Sequence, residues 1–223
     1  MYLIIKRICD FTLAVILLVI ISPLLIPITI GLSLTGEGYI WYKQERIGLK
    51  NKPFQIWKFA TMLKNSPNMA GGIMTTKKDP RITPMGGFLR KTKINEIPQL
   101  LNILFGDMSF VGPRPIMLQS FKAYPKYVQD IIYEVKPGLT GIGSIIFRDE
   151  EELLTKIKNS GMDPWEFYKN TIAPYKGSVE NWFQNNQSFW VECKIIVLTA
   201  LVIIKPNSQL VYIFFKDLPK RNF

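Results

Sequence analysis

"FTLAVILLVIISPLLIPITIGLSL", residues 11–34, carries no ionisable side chain. A helix of about 20 apolar residues can cross a bilayer, so this stretch decides whether the chain is bound to a membrane. It is too long for the core of a signal peptide, and no small-residue cleavage site follows it. Ser22-Pro23 sits near its centre and Pro27 follows one turn later. Each proline lacks an N–H and crowds the carbonyl four residues back, which predicts a sharp bend. The Ser22 hydroxyl can return a hydrogen bond to a freed carbonyl and make the bend tolerable in lipid. Lys6 and Arg7 precede the segment, and Lys43, Arg46, Lys50 and Lys52 follow it. Positive residues on both flanks place both ends on the cytoplasmic side. Residues 1–35 therefore read as a re-entrant anchor helix broken at Ser22 and Pro23, with a kinked true span as the competing reading.

The remainder, residues 36–223, reads as one cytoplasmic, membrane-associated domain, and a chain of 223 residues has ample apolar material for its core. Its charge is uneven. From Lys43 to Lys93 there are twelve basic residues against only Glu45 and Asp79, while the rest of the chain is close to neutral. Such a block calls for an anionic partner: a phosphate ester, an anionic membrane surface or nucleic acid. Nucleic acid is rejected, because no recognition-helix or stacking-platform pattern accompanies the charge. There is no histidine, so proton transfer would fall to carboxylates, Lys, Tyr or Cys. Cys9 and Cys193 are isolated and offer neither a disulfide framework nor a zinc site.

Tyr39 to Phe59 mixes aromatic and basic residues around Gly48 and Pro53 and predicts short strands and turns. Asn65 to Asp79 has no apolar period and reads as a mobile loop. Asn95 to Phe105 predicts a short helix closed by Gly106, and Asp149 to Asn159 another. The latter has acidic residues first and lysines last, which suits the helix dipole and marks its acidic run as structural. Ile195–Ile204 reads as a core helix or an interfacial one. Leu210–Phe215 fits a strand or a membrane-facing patch. The expected class is α+β, predominantly helical, with a small β element.

The densest stretch is "DPRITPMGGFLRKTKINEIPQLLNILFGDMSFVGPRP", residues 79–115. Arg114 lies between Pro113 and Pro115, so its backbone is stiff, and its planar fork suits paired phosphate oxygens. Arg81, Arg90, Lys91 and Lys93 add charge nearby. A helix beginning at Asn95 would aim free N–H groups at the same anion. Asp107 reads as a turn-former.

These motifs, with "KRICD" at 6–10, "QERIG" at 44–48, "KF" at 58–59, "TM" at 61–62 and "KPGLTG" at 136–141, occur in an ordered series. The chain resembles the bacterial sugar transferases, the monotopic phosphoglycosyl transferases. The resemblance implies transfer of a phosphosugar from a UDP-sugar to a polyprenyl (undecaprenyl) phosphate at the cytoplasmic face of the bacterial inner membrane, feeding polysaccharide or glycoconjugate assembly. It implies Mg²⁺, membrane lipid as a partner, and leaves room for a homodimer. It also implies an adjacent Asp-Glu pair in which the Asp attacks the β-phosphate to form an acyl phosphate. A carboxylate is an ionised nucleophile, and cations with metal offset the charge at the transferring phosphorus.

Here the Asp position holds Asn95 and the Glu position holds Glu96. An amide oxygen is neutral, far less nucleophilic, and a weaker Mg²⁺ ligand. Ala60 stands where the family usually has Arg, and "IGSIIFRDEEE" replaces the family's usual segment after 136–141. Asn95 also fits a helix N-cap. Two readings follow. In one the enzyme is active, with Glu96 as nucleophile or as base for a direct attack, and Arg114, Lys58, Arg81 and Arg90 contacting phosphate. In the other it is a non-catalytic relative that binds lipid phosphate or nucleotide-sugar as a partner or regulator. Glu96 and Asn95 are the candidate metal ligands.

Overall fold

A computed structural model describes residues 2–35, 37–69, 79–204 and 209–223. The helices are α1 (Tyr2–Leu34), α2 (Pro84–Lys91), α3 (Gln99–Phe105), α4 (Leu118–Lys122), α5 (Lys126–Ile131), α6 (Ile142–Ile146), α7 (Glu150–Asn159), α8 (Pro164–Phe167), α9 (Ala173–Asn186), α10 (Phe189–Ile204) and α11 (Leu210–Phe214). The strands are β1 (Trp41–Ile47), β2 (Pro53–Phe59), β3 (Ser109–Val111) and β4 (Gly138–Thr140). The chain is mostly helical with small sheets, as the composition of its segments predicts.

The helix α1 runs through both prolines as one helical element of 33 residues. The Ser22 hydroxyl donates to the Val19 carbonyl at 2.8 Å, the carbonyl that Pro23 leaves without its N–H partner. Both ends rest on one body. Near the N-terminus, Lys6 donates to the Val111 carbonyl and pairs with Glu192 at 2.6 Å. Arg7 donates to the carbonyls of Ile103 and Leu104 in the last turn of α3. The Phe110 N–H donates to Asp10. Towards the C-terminus, Ile28 and Leu32 are buried with Phe59 and Leu89. The opposite face is apolar and open: Leu3, Ile8, Val19, Ile20, Ile26 and Leu34 are all exposed.

β1 and β2 form an antiparallel hairpin. Burial alternates along β1 from Trp41 to Arg46, as for a strand with one packed face. Tyr42, Gln44 and Arg46 share one face with their partners Lys58, Ile56 and Phe54, while Trp41 stacks on Phe59 across the other. α3 is locked to this hairpin by Asn102, whose amide accepts from the Trp57 N–H at 3.0 Å and donates to the Gln55 carbonyl at 2.8 Å. A side chain thus completes the strand edge, and the element that follows Glu96 is fixed beside the strand that carries Lys58.

β3 and β4 pair in parallel, Ser109 opposite Gly138 and Val111 opposite Thr140. A Cβ on Gly112 would stand 2.3 Å from the Lys136 carbonyl oxygen, and one on Gly138 would stand 2.1 Å from the Gly112 nitrogen. These contacts are backbone to backbone, so only glycine fits at 112 and 138. The motifs at 106–115 and 136–141 therefore interlock.

Two expectations need correction. The helix after "KTK" starts at Gln99, and Asn95 lies before it in a 3₁₀ turn, Ile94–Glu96, with no capping bond from its side chain. Pro98 sets the start instead, since a proline suits a first helical turn. Leu210–Phe215 is helical as far as Phe214 and contains no strand. Of the loop expected over Asn65–Asp79, Ser66–Asn68 forms a 3₁₀ turn, while residues 70–78 lie outside the described residues. The helix expected over Asp149–Asn159 is α7, with Asp149 bound to Arg221 and Glu150 to Lys176.

Candidate active site

Glu96 is the focus of the site. α2 ends in Arg90 and Lys91, and the chain then turns at Lys93, whose backbone is left-handed with φ 62°. A non-glycine residue there costs on the order of 1 kcal/mol and is retained where the fold needs the turn. The turn carries Ile94–Glu96 back against the inner face of the hairpin. Glu96 Oε1 then accepts from Arg114 Nη2 at 2.9 Å and lies 3.9 Å from Lys58 Nζ.

The charges around it are unbalanced. Burial alone would raise the Glu96 carboxyl, but Arg114, Lys58 and Lys93 outweigh it and hold the group well below the usual carboxylate range. Lys58 is pushed down to about 7 by burial, with Glu96 opposing and Arg46, Arg114 and Arg90 adding to the depression. Arg46 is pushed down to about 10 by burial and by Arg114. Burial also lowers Lys93. Among the described residues, five basic side chains, Arg46, Lys58, Arg90, Lys93 and Arg114, thus act on one another around the single inner carboxylate of Glu96. Glu150 and Glu151 of α7 reach Arg114 and Lys93 only through longer-range attraction. Such a cluster is built for a further anion.

Arg114 and Lys93 are exposed members of the cluster, the Arg114 side chain at 46 %. The turn that carries Arg114 is held at each flank: the Gly138 N–H donates to the Pro113 carbonyl, and the Ile47 N–H to the Ile116 carbonyl.

Of the residues singled out in the sequence, Glu96, Lys58, Arg114 and Arg90 come together. Arg81 is placed elsewhere. Its guanidinium is buried and bidentate on Asp79, at 2.9 and 2.6 Å, where it closes the loop after β2. Asp107 stands at the far end of α3 from Glu96. Asn95 is buried at 7 % exposure, and its Oδ1 has no donor. Lys93, read in the sequence as charge near Arg114, joins the site, and so does Arg46, which the sequence marked as a flank of the apolar segment and part of the basic block. The alternation of β1 was a signal for Arg46, but the hairpin register was needed to read it. A cavity of about 520 Å³ between α4 and α8, lined by Leu118, Lys122, Trp165 and Lys169, shares no residue with this cluster.

The family model described as bacterial sugar transferase matches residues 1–206. The chain belongs to the bacterial sugar transferase family. Among its relatives, the UDP-glucose:undecaprenyl-phosphate glucose-1-phosphate transferase of Klebsiella pneumoniae is 34% identical over 200 residues, which is 87% of this chain and 39% of the relative. An uncharacterised sugar transferase of Bacillus subtilis (strain 168) is 33% identical over 202 residues, 91% of this chain and 88% of the relative. A putative undecaprenyl-phosphate N-acetylgalactosaminyl 1-phosphate transferase of the same organism is 44% identical over 114 residues, 51% of this chain and 63% of the relative. This family member spans about two fifths of the length of the first of these. The matched family region contains the whole basic cluster, from Arg46 to Arg114, together with α1.

Proposed function

We propose that this protein transfers a phosphosugar from a UDP-sugar to polyprenyl phosphate at a membrane surface. The observation that carries the reading is the surplus of half-buried cations around Glu96, which suits two phosphate-bearing substrates brought together. The names of the relatives specify glucose, galactose or N-acetylgalactosamine, so the class of donor is a UDP-sugar.

In this reading an oxygen of the lipid phosphate attacks the β-phosphorus of the UDP-sugar. A new P–O–P link forms to the lipid, the bond from the β-phosphorus to the bridging oxygen breaks, and UMP leaves with the electron pair. The acceptor is already an anion, so no base is required. Glu96 would be a weak one, because its neighbouring cations hold its carboxyl well below the usual carboxylate range, where it takes up a proton poorly. Its oxygen is also engaged by Arg114 and Lys58, and Asn95 is a neutral amide. We therefore read a single displacement. Arg114 supplies the fork for one phosphate, Lys58 a point charge beside it, and Glu96 orients both cations.

The residues present fit Mg²⁺. The orphaned, buried Oδ1 of Asn95 and the carboxylate of the next residue, Glu96, are the hard oxygen donors that this ion takes when substrate phosphates complete its shell. When bound, the ion would neutralise charge on the diphosphate and on departing UMP.

The membrane arrangement rests on α1. Besides its open apolar face, Ile196, Val197, Leu201, Ile203 and Ile204 of α10 and Ile213 of α11 are also exposed. Soluble surfaces rarely carry so extended an apolar patch. Asp10 and Ile28 both touch the same body. They could not sit on opposite faces of a hydrocarbon core about 30 Å thick while one polar body met both. A re-entrant helix entering from the cytoplasmic face of the inner membrane accommodates this.

The test is direct. Purified in lipid nanodiscs with Mg²⁺, polyprenyl phosphate and a panel of UDP-sugars, the protein should release UMP with at least one donor. Retained binding of both substrates with no UMP from any donor would favour a binding or regulatory role.

A further inference from the structure

Arg46 has no task in the reaction as drawn. It lies on the inner face of the hairpin, the face that also carries Lys58. Its Nε is buried without an acceptor, and Nη2 donates to Gln44 Oε1 at 2.5 Å, a neighbour on the same strand. The following residue, Ile47, is hydrogen-bonded to the carbonyl of Ile116 just past the Pro-Arg-Pro turn, so Arg46 and Arg114 are held as neighbours by the backbone.

We infer that Arg46 is a phosphate-binding residue of this site, a second guanidinium that meets the substrate anion beside Arg114. The assignment rests on the reading of the cluster as an anion site. Its argument is one of cost. A buried donor left unpaired destabilises the fold, and a buried cation set beside a like charge destabilises it further. Burial first, and Arg114 next, already disfavour the charged form of this side chain. A residue placed for stability would meet a carboxylate. Arg46 feels the charge of Arg114 more strongly than that of Glu96, which is already held by Arg114 and Lys58. A phosphate oxygen supplies both what the Nε–H lacks and the negative charge that the pair of guanidiniums requires. That phosphate belongs either to the diphosphate of the donor or to the lipid acceptor.

The experiment uses the full chain in lipid nanodiscs as wild type, Arg46→Met and Arg46→Lys. Lys126→Gln, in an exposed ion pair with Asp130, controls for the loss of one positive charge. Binding of inorganic pyrophosphate is measured by calorimetry, and thermal unfolding is followed with and without polyprenyl phosphate in the disc. Arg46→Met should weaken pyrophosphate by roughly 10- to 100-fold. Arg46→Lys should fall between it and wild type, and the control should stay within about twofold. Without ligand, the unfolding midpoint of Arg46→Met should equal or exceed that of wild type, since a half-buried cation whose Nε lacks an acceptor has been removed.

If pyrophosphate affinity holds but stabilisation by polyprenyl phosphate is lost, the assignment stands and the anion is the acceptor's. A lowered midpoint with both ligands bound as in wild type overturns it and makes Arg46 a structural residue. Absence of UMP release from wild type, with pyrophosphate still weakened by Arg46→Met, removes the transfer reading and keeps Arg46 as an anion ligand.

Discussion

The phenol of Tyr133 donates to the carbonyl of Arg114 at 2.7 Å and accepts from the Ile116 N–H at 3.1 Å. One buried hydroxyl therefore satisfies two backbone groups of a turn whose prolines have no N–H to offer, and it sets the direction from which Arg114 reaches Glu96. Tyr133→Phe keeps the ring in the core and leaves both groups unpaired, which should cost about 1–3 kcal/mol of stability. Because the turn aims the guanidinium, the variant should also lose phosphosugar transfer beyond what its lower stability explains. Denaturant unfolding and UMP release, compared with a core variant of equal stability, check this.

Glu96→Gln should move binding and turnover in opposite directions. Removing the inner carboxylate frees Arg114 and Lys58 for an incoming anion, so inorganic pyrophosphate should bind several-fold more tightly. The same change disorders the two cations, so UMP release should fall by about 100-fold or more. Calorimetry and a UMP assay on one preparation read both. Equal losses in both would sink the role given to Glu96.

Asn95 decides the kinetic form. With an amide at this position, intact-mass spectrometry after addition of donor should show no phosphosugar adduct on the wild type. Asn95→Asp restores the carboxylate that the family resemblance expects and should make an adduct detectable. A wild-type adduct that disappears in Glu96→Gln would instead make Glu96 the covalent nucleophile.

Glu180 of α9 supplies a pH signature away from the site. It is 5 % exposed, Oε2 has no partner, and burial pushes its carboxyl up to about 7, with Lys176 only partly opposing. A raised folded value means that the native state binds the proton more strongly than the unfolded chain. That stability is fully present below the ordinary carboxylate value of about 4.3 and is lost as pH rises through about 7. Glu180→Gln should therefore be more stable than wild type at pH 8, by an amount on the order of 2 kcal/mol, and should lose this advantage near pH 4. Chemical denaturation across that range measures it.

Single cysteines placed at Tyr2 and at Asn51, with Cys9 and Cys193 replaced by Ser, should label from the same side of sealed inverted vesicles. Labelling from opposite sides would retire the re-entrant helix.

Particular residues show where the sequence could be read and where it could not. α7 was legible because three glutamates followed by lysines match one dipole. α1 was legible because a stretch without charge has few alternatives. Asn95 was misread as a cap, since an Asn before an apolar run is the usual sign of one. The left-handed Lys93 and the position of Pro98 shifted the helix start to Gln99. Arg81 looked like Arg90 in a list of charges, yet Asp79 takes two of its nitrogens and the Ser66 carbonyl accepts from the third. Nothing in the linear order says which cation a carboxylate will choose.

The sequence by itself determined what must leave water and what must stay charged: an apolar arm, a basic block, and glycines where two backbones touch. Those are properties of single residues and their near neighbours, fixed by transfer energies and steric size. Only the tertiary structure decided that Arg46, Lys58, Glu96 and Arg114, drawn from three segments, share one half-buried place. Attraction between charges depends on separation and on burial, and neither exists until the hairpin, the turn at Lys93 and the Pro-Arg-Pro segment have packed together.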